Sequence, residues 1–263
     1  MSVEVVHWNP RKPRASGPLG RLLPKRPPVN NFGDLLGPRI VREVLSRRVV
    51  DASPGAEGRR LLAVGSILRL ARAGDVVWGA GVNGKSIDAP HELTALDVRA
   101  VRGPLTSRFL AERGVAVPDV YGDPGLLVGS LWPRESLRWD GPPVGVTLIP
   151  NLNDADRYRG HPDFWHPCSP LDDTVSRIAN SEFVIGSSLH AIVLAESFGI
   201  PARLIRSAHE PSFKYDDYYL GSGRDTPVMA DDVDEALTMG GEPALQWDPG
   251  ALLDAFPVDL WMP

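Results

Sequence analysis

Ser187, Ser188 and His190 stand where a buried strand hands over to a helix in SEFVIGSSLHAIVLAESFGIP. Two hydroxyls and an imidazole converge there. The turn aims the helix's free N–H groups and positive dipole end out of a sheet edge, which suits an anion. An imidazole ordinarily titrates near neutral pH, so His190 could also carry a proton; capping or packing is the alternative role. Arg102, at the end of the strand in LDVRAVRGPLTSRF, reaches the same kind of edge, and arginine captures carboxylate or phosphate bidentately. Asp123 in VYGDPGLL follows a short strand between Gly122 and Pro124, and its spacing alone reads as a turn or cap.

A glycine-rich stretch, WGAGVNGK, matches G-x-G-x-x-G at Gly79, Gly81 and Gly84. A dinucleotide fingerprint must open a helix. Here the continuation SIDAPHELTALD carries Pro90 and little apolar periodicity, so that reading fails. What remains is a loop through Asn83 whose N–H groups can approach an anion, with Lys85 as a point charge, or a structural turn. Metal binding has little support. Asp154 and Asp156 form a D-x-D in a polar loop beside Asn151 and Asn153, and His161, His166 and Cys168 lack the spacing of a closed zinc site. Neither a G-x-S-x-G elbow nor a Walker A motif occurs.

Positioning these groups requires an α/β chain with mainly parallel strands, because short β-branched runs alternate with helical patterns. Strands are predicted at 3–8, 61–64, 75–79, 97–101, 120–121, 144–149, 183–185 and 202–205. Helices are predicted from Asp34 as N-cap, then at 104–112, 171–180, 189–198, 231–239 and 249–255. The loop from Asn30 through Asn31 to Gly33 delivers its backbone to the first helix. Two tryptophans among Pro, Gly and charges at 129–143 suggest a domain boundary, giving units 1–135 and 136–263.

Composition excludes several classes. The 263 residues carry a formal charge of -5, with 43% hydrophobic and 23% charged residues, which is a globular and not a nucleic-acid-binding balance. One cysteine rules out an intrachain disulfide. No apolar run reaches membrane-span length and the first residues lack a secretory pattern, so a cytoplasmic protein is expected. Lysine is scarce, with Lys12, Lys25, Lys85 and Lys214 the four present. Arg11, Lys12, Arg14, Arg21, Lys25 and Arg26 form a basic, proline-interrupted loop, either a solvated connection or a surface for phosphates or the inner membrane face.

The motifs NNFGD, WGAGVNGK, LDVRAVRGP, VYGDPG, SSLHAIVLAESFGIP and FKYDDYYL, in this order between Val3 and Gly223, resemble the polysaccharide pyruvyl transferase family, and within it the short xanthan-type ketal pyruvate transferases. The resemblance implies two Rossmann-like domains in a GT-B-like arrangement with an interdomain cleft, and no nucleotide or other cofactor. It implies transfer of the enolpyruvyl carbons of phosphoenolpyruvate onto two hydroxyls of a sugar or lipid-linked oligosaccharide, giving a pyruvate ketal and phosphate.

In the better-understood branches of that family the Arg and His of an R-L-H triplet contact the donor. Here it reads Ser188-Leu189-His190, so the histidine carries over and the arginine does not. Arg102 is the first choice to replace its charge, with Lys85, Lys214 and Arg206 as substitutes. His190 is the expected proton shuttle, and Asp34 or Asp123 the group that orients it or activates the sugar. Asn31, Gly33, Gly79, Gly81, Asn83, Ser187 and Ser188 complete the expected site. Two alternatives are a GT-B glycosyltransferase using a nucleotide sugar and a non-catalytic sugar-binding relative.

Overall fold

The structure, a computed structural model, describes residues 3–11, 13, 25–48, 58–89, 93 and 95–262. Two all-parallel sheets carry the chain, as the alternation of strand and helix patterns predicts. In the first, β1 (Glu4–Val6), β2 (Arg60–Leu62), β3 (Val76–Trp78) and β4 (Asp97–Ala100) lie side by side in chain order. Val5 pairs with Leu61, Leu61 with Val76 and Val77 with Val98. The second holds β5 (Val144–Leu148), β6 (Ser181–Gly186) and β7 (Ala202–Leu204), with Val146 beside Phe183 and Val184 beside Ala202. β2, β3 and β7 are buried at every position, which is why they are continuous apolar or stem-burying runs and not alternating ones. The strand expected at 120–121 is a single bridge, Tyr121 beside Val101.

The longer helices are α1 (Phe32–Arg47), α2 (Pro104–Ala111), α3 (Leu171–Ala179), α4 (Leu189–Ser197), α5 (Phe213–Gly221) and α6 (Val233–Met239). α1 corrects one expectation. Its N-cap is Asn31, whose side chain accepts from the Gly33 amide at 3.2 Å, and Asp34 sits inside the first turn. The asparagine wins because its extended backbone points the amide oxygen back at the free N–H groups. α5 is a helix that apolar periodicity does not reveal. Lys214, Tyr215, Asp217, Tyr218 and Tyr219 are all buried, so tertiary contacts surround it on nearly every side.

One contiguous core joins the two sheets. Phe32, Leu36 and Ile40 of α1 belong to the same buried cluster as Leu127 and Val128, Ile178 of α3, and Ile192 and Val193 of α4. Each such side chain contributes about 1.5–3 kcal/mol through burial. The helix that carries Asp34 and the helix that carries His190 both pack on the turn Pro124–Leu127, and at their starts Gly33 meets the His190 ring.

Candidate active site

All strands of a parallel sheet end at one edge, so the loops that follow them collect there. Loops from both sheets meet in a cleft of about 230 Å³. Trp8 follows β1, Ser66 and Arg69 follow β2, and Asn83 and Lys85 follow β3. Asn151 and Asn153 follow β5, Ser188 and His190 follow β6, Glu210 and Lys214 follow β7, and Asn31 and Asp34 enter from the start of α1.

Its basic side is largely self-neutralised. Lys214 Nζ lies 3.0 Å from Glu210 Oε2, and Lys85 pairs with Oε1 of the same carboxylate. Burial pushes Glu210 up, but Lys214 and Lys85 outweigh it and hold the carboxyl below its usual range. Burial, aided by Arg102 and Lys85, lowers Lys214 against the pull of Glu210. Arg69, in the turn Leu68–Leu70, is exposed on the cleft wall and forms no ion pair among the described residues. It is the uncommitted cation of the cleft.

The other side holds Asp34 and His190. Burial outweighs the opposing Lys214 and Arg69 and raises the Asp34 carboxyl from 3.8 to about 7. The carboxyl is therefore about half protonated at neutral pH. Burial also lowers His190, with Asp123 opposing and Lys214 and Arg102 reinforcing, so its ring is neutral there. Asp123 is fully buried and uses Oδ1 to accept from the Gly125 amide at 2.9 Å. Its Oδ2 is 3.8 Å from His190 Nε2, too far for a hydrogen bond, and both atoms are buried without a partner. Gly33 makes room for the ring, since a Cβ there would lie 2.4 Å from His190 Nδ1.

Arg102 stands behind the cleft, fully buried. Its Nε donates to Asp217 Oδ2 at 3.0 Å, one terminal nitrogen to Ser66 Oγ at 2.8 Å and the other to the Val82 carbonyl at 2.9 Å. Asp217 also accepts from Thr106 N and Oγ1 at 2.9 and 2.6 Å. Breaking such a buried pair by removing one partner costs about 3–5 kcal/mol, so the guanidinium is committed to holding α2, α5 and the β2 loop together. α5 thus places Lys214 in the cleft and Asp217, one turn on, against Arg102.

Asp154 anchors the opposite wall. It is buried and accepts from Ser187 Oγ at 2.8 Å, Ser207 Oγ at 2.6 Å and His209 Nδ1 at 2.7 Å. Burial would raise its carboxyl, but these hydrogen bonds prevail and lower it. Ser187 additionally accepts from the Asn151 amide at 2.9 Å, so its hydroxyl is spent.

The structure thus brings Asn31, Asp34, Asn83, Lys85, Ser188, His190 and Lys214 into one cleft, with Asp123 directly behind His190. Other expected residues lie elsewhere. Gly79 and Gly81 do not line it: a Cβ at Gly79 would meet the Pro124 ring at 2.4 Å, and one at Gly81 the Arg102 guanidinium at 2.4 Å. They are glycines for close packing. Gly33 serves His190 in the same way, Ser187 serves Asp154, and Arg206 is exposed and paired with Asp231 at 2.9 Å. Of the basic loop, Arg11, Lys25 and Arg26 are exposed, while Lys12, Arg14 and Arg21 lie outside the described residues. No helix among the described residues is long and apolar enough to cross a membrane. Sequence reasoning missed Arg69, Glu210 and the Asp154–His209 pair. Only Glu210 had a local signal, its spacing of four from Lys214.

Comparison with known proteins comes to the same stretch of chain. A family model described as polysaccharide pyruvyl transferase matches residues 31–209, a span that includes Asp34, Arg69, Asp123 and His190 and stops just short of Glu210. The succinoglycan biosynthesis protein ExoV of Rhizobium meliloti (strain 1021) is 28% identical over 173 residues, covering 60% of this chain and 52% of that protein. The chain therefore matches about half the length of that curated relative. A protein of Klebsiella pneumoniae subsp. pneumoniae NTUH-K2044, KP1_0663, is similar at 10% identity with a TM-score of 0.46, over 72% of this chain and 83% of that one, too loose a likeness to bear on the site.

Proposed function

Because the chain belongs to the polysaccharide pyruvyl transferase family, we propose that it moves the enolpyruvyl group of phosphoenolpyruvate onto two hydroxyls of a sugar in a polysaccharide or lipid-linked oligosaccharide. A pyruvate ketal forms and phosphate leaves. The observation that carries this reading is a small cleft lined by an arginine without an ion pair among the described residues, two lysines and a buried carboxyl raised to about 7. A donor with a carboxylate, a phosphate and a methylene carbon needs two anion contacts and one acid.

Arg69 supplies the charge that Ser188 does not, and Lys214 and Lys85 meet the second anionic group by giving up Glu210. Asp34, not His190, gives its proton to the methylene carbon, because burial raises the carboxyl to about 7, where it can hold a proton at neutral pH, and lowers the imidazole. His190 contacts the donor, with Asp123 set to stabilise any positive charge its ring gains. Arg102 is a positioning residue through Ser66. The two sheets act as the halves of a GT-B-like arrangement, and exposed Arg11, Lys25 and Arg26 offer a peripheral contact with a membrane bearing the acceptor. The cleft falls below the roughly 300–1,000 Å³ of a pocket that encloses a drug-sized ligand, which disfavours a nucleotide-sugar donor.

Calorimetric titration tests the reading. Phosphoenolpyruvate binds and uridine diphosphate does not, and Arg69→Ala weakens phosphoenolpyruvate about 10- to 150-fold, the equivalent of a charged hydrogen bond worth about 1.5–3 kcal/mol. Tighter binding of the nucleotide, or an Arg69→Ala protein of unchanged affinity, refutes it.

A further inference from the structure

The Asp154–His209 pair is not used by the donor chemistry. Its geometry is that of a catalytic dyad: a carboxylate 3% exposed, an imidazole 55% exposed, and Nδ1 2.7 Å from Oδ1. An ionised carboxylate only accepts, so Nδ1 carries the hydrogen of this pair and Nε2 is the ring nitrogen the carboxylate does not engage. Ser207 fixes the loop, accepting from the amides of His209 and Glu210 at 3.1 and 3.0 Å while donating to Asp154. The ring is therefore held on Asp154 by a loop whose next residue, Glu210, lines the cleft, as does Asn153 before Asp154. His209 itself does not line the cleft, but it directly precedes Glu210, which does, and its half-exposed ring is open to a sugar that extends out of the cleft.

We propose that His209, oriented by Asp154, is the general base that takes the proton from the attacking hydroxyls of the acceptor sugar. The proposal rests on the pyruvyl-transfer reading. Asp34 gives a proton to the donor's methylene carbon, whose double-bond pair becomes the new C–H bond and leaves C2 electron-poor. The first hydroxyl oxygen bonds to C2 and its proton passes to His209 Nε2. The C2–O bond to phosphate then breaks with its electron pair on phosphate, which takes the proton from His209; the second hydroxyl adds to C2, and its proton passes through the freed imidazole to water. The diol's two protons balance those gained by the methyl carbon and the released phosphate, with Asp34 reprotonated from water.

The test pairs phosphate release, with phosphoenolpyruvate as donor and methyl glycosides of glucose, galactose and mannose as acceptors, with calorimetric binding of phosphoenolpyruvate. His209→Ala lowers kcat about 10²–10⁴-fold and leaves phosphoenolpyruvate affinity within twofold. Added imidazole restores part of its rate, which a structural role would not allow. Asp154→Asn lowers kcat in the same direction, as expected of a positioning residue. His209→Ala with kcat within threefold of wild type overturns the dyad proposal alone. A wild-type protein that binds no phosphoenolpyruvate, or releases no phosphate with any of these glycosides, overturns the reading beneath it.

Discussion

Two glycines one turn apart in α1 respond oppositely to the same substitution. A Cβ on Gly33 would lie 2.4 Å from His190 Nδ1 and 2.9 Å from its Cγ, whereas one on Gly37 would meet Val64 at 3.7 Å and Val5 at 3.9 Å. Ordinary carbon contacts are about 3.5–4.0 Å, so Gly37→Ala fits without movement and gains helix propensity, about 0.5–1 kcal/mol. Its Tm rises by about 1–4 °C. Gly33→Ala forces the His190 ring back by about 1 Å. Overpacking of this kind costs about 1–3 kcal/mol, which cancels or exceeds the propensity gain, so Tm stays level or falls by a few degrees. The ring sits between Gly33 and Asp123, so its retreat misplaces the donor contact, and a shift of that size costs about 10²-fold in kcat. Scanning calorimetry gives the two Tm values, and phosphate release from phosphoenolpyruvate gives kcat. If Gly33→Ala rises in Tm like Gly37→Ala and keeps kcat within threefold, His190 is neither confined by this helix nor placed for catalysis.

Two further outcomes follow from the cleft's charges. Glu210→Gln leaves the buried Lys214 ammonium without its counter-charge, which costs about 3–5 kcal/mol; Tm falls, and phosphoenolpyruvate raises Tm by more than it does in wild type, because the donor no longer competes with an internal carboxylate. Equal ligand-induced shifts in thermal unfolding would dismiss that competition. Asp34 binds its proton more tightly folded, at about 7, than unfolded, at 3.8, so its contribution favours the folded state at low pH and is lost as pH rises from about 4 to about 7. Asp34→Asn therefore matches wild-type Tm near pH 4 and exceeds it increasingly up to pH 7, while phosphate release is lost; a Tm difference that shrinks with pH would contradict the assignment.

Strands, helices and the order of motifs were legible because they depend on neighbours in the chain. A β-branched run such as Val76–Trp78 declares a buried strand, Pro104 opens a helix, and NNFGD followed by SSLHAIVLAESFGIP marks the ends of elements that must gather at one sheet edge. Asp34, Lys85, His190 and Lys214 could therefore be named as site residues from spacing and family likeness. Their environments could not.

Which charge is free is decided by partners far away in sequence. Arg102 looked like a ligand for an anion until Asp217, 115 residues on, claimed it, and Lys85 is paired across 125 residues with Glu210. Arg69 had no motif to mark it, and it stays an exposed cation of the cleft because no carboxylate among the described residues forms an ion pair with it. The same holds for proton affinity. Desolvation is a property of the packed cleft, so the chain alone shows Asp34 as an ordinary aspartate and His190 as an ordinary histidine, and only the tertiary structure, by burying both, raises the carboxyl and lowers the imidazole.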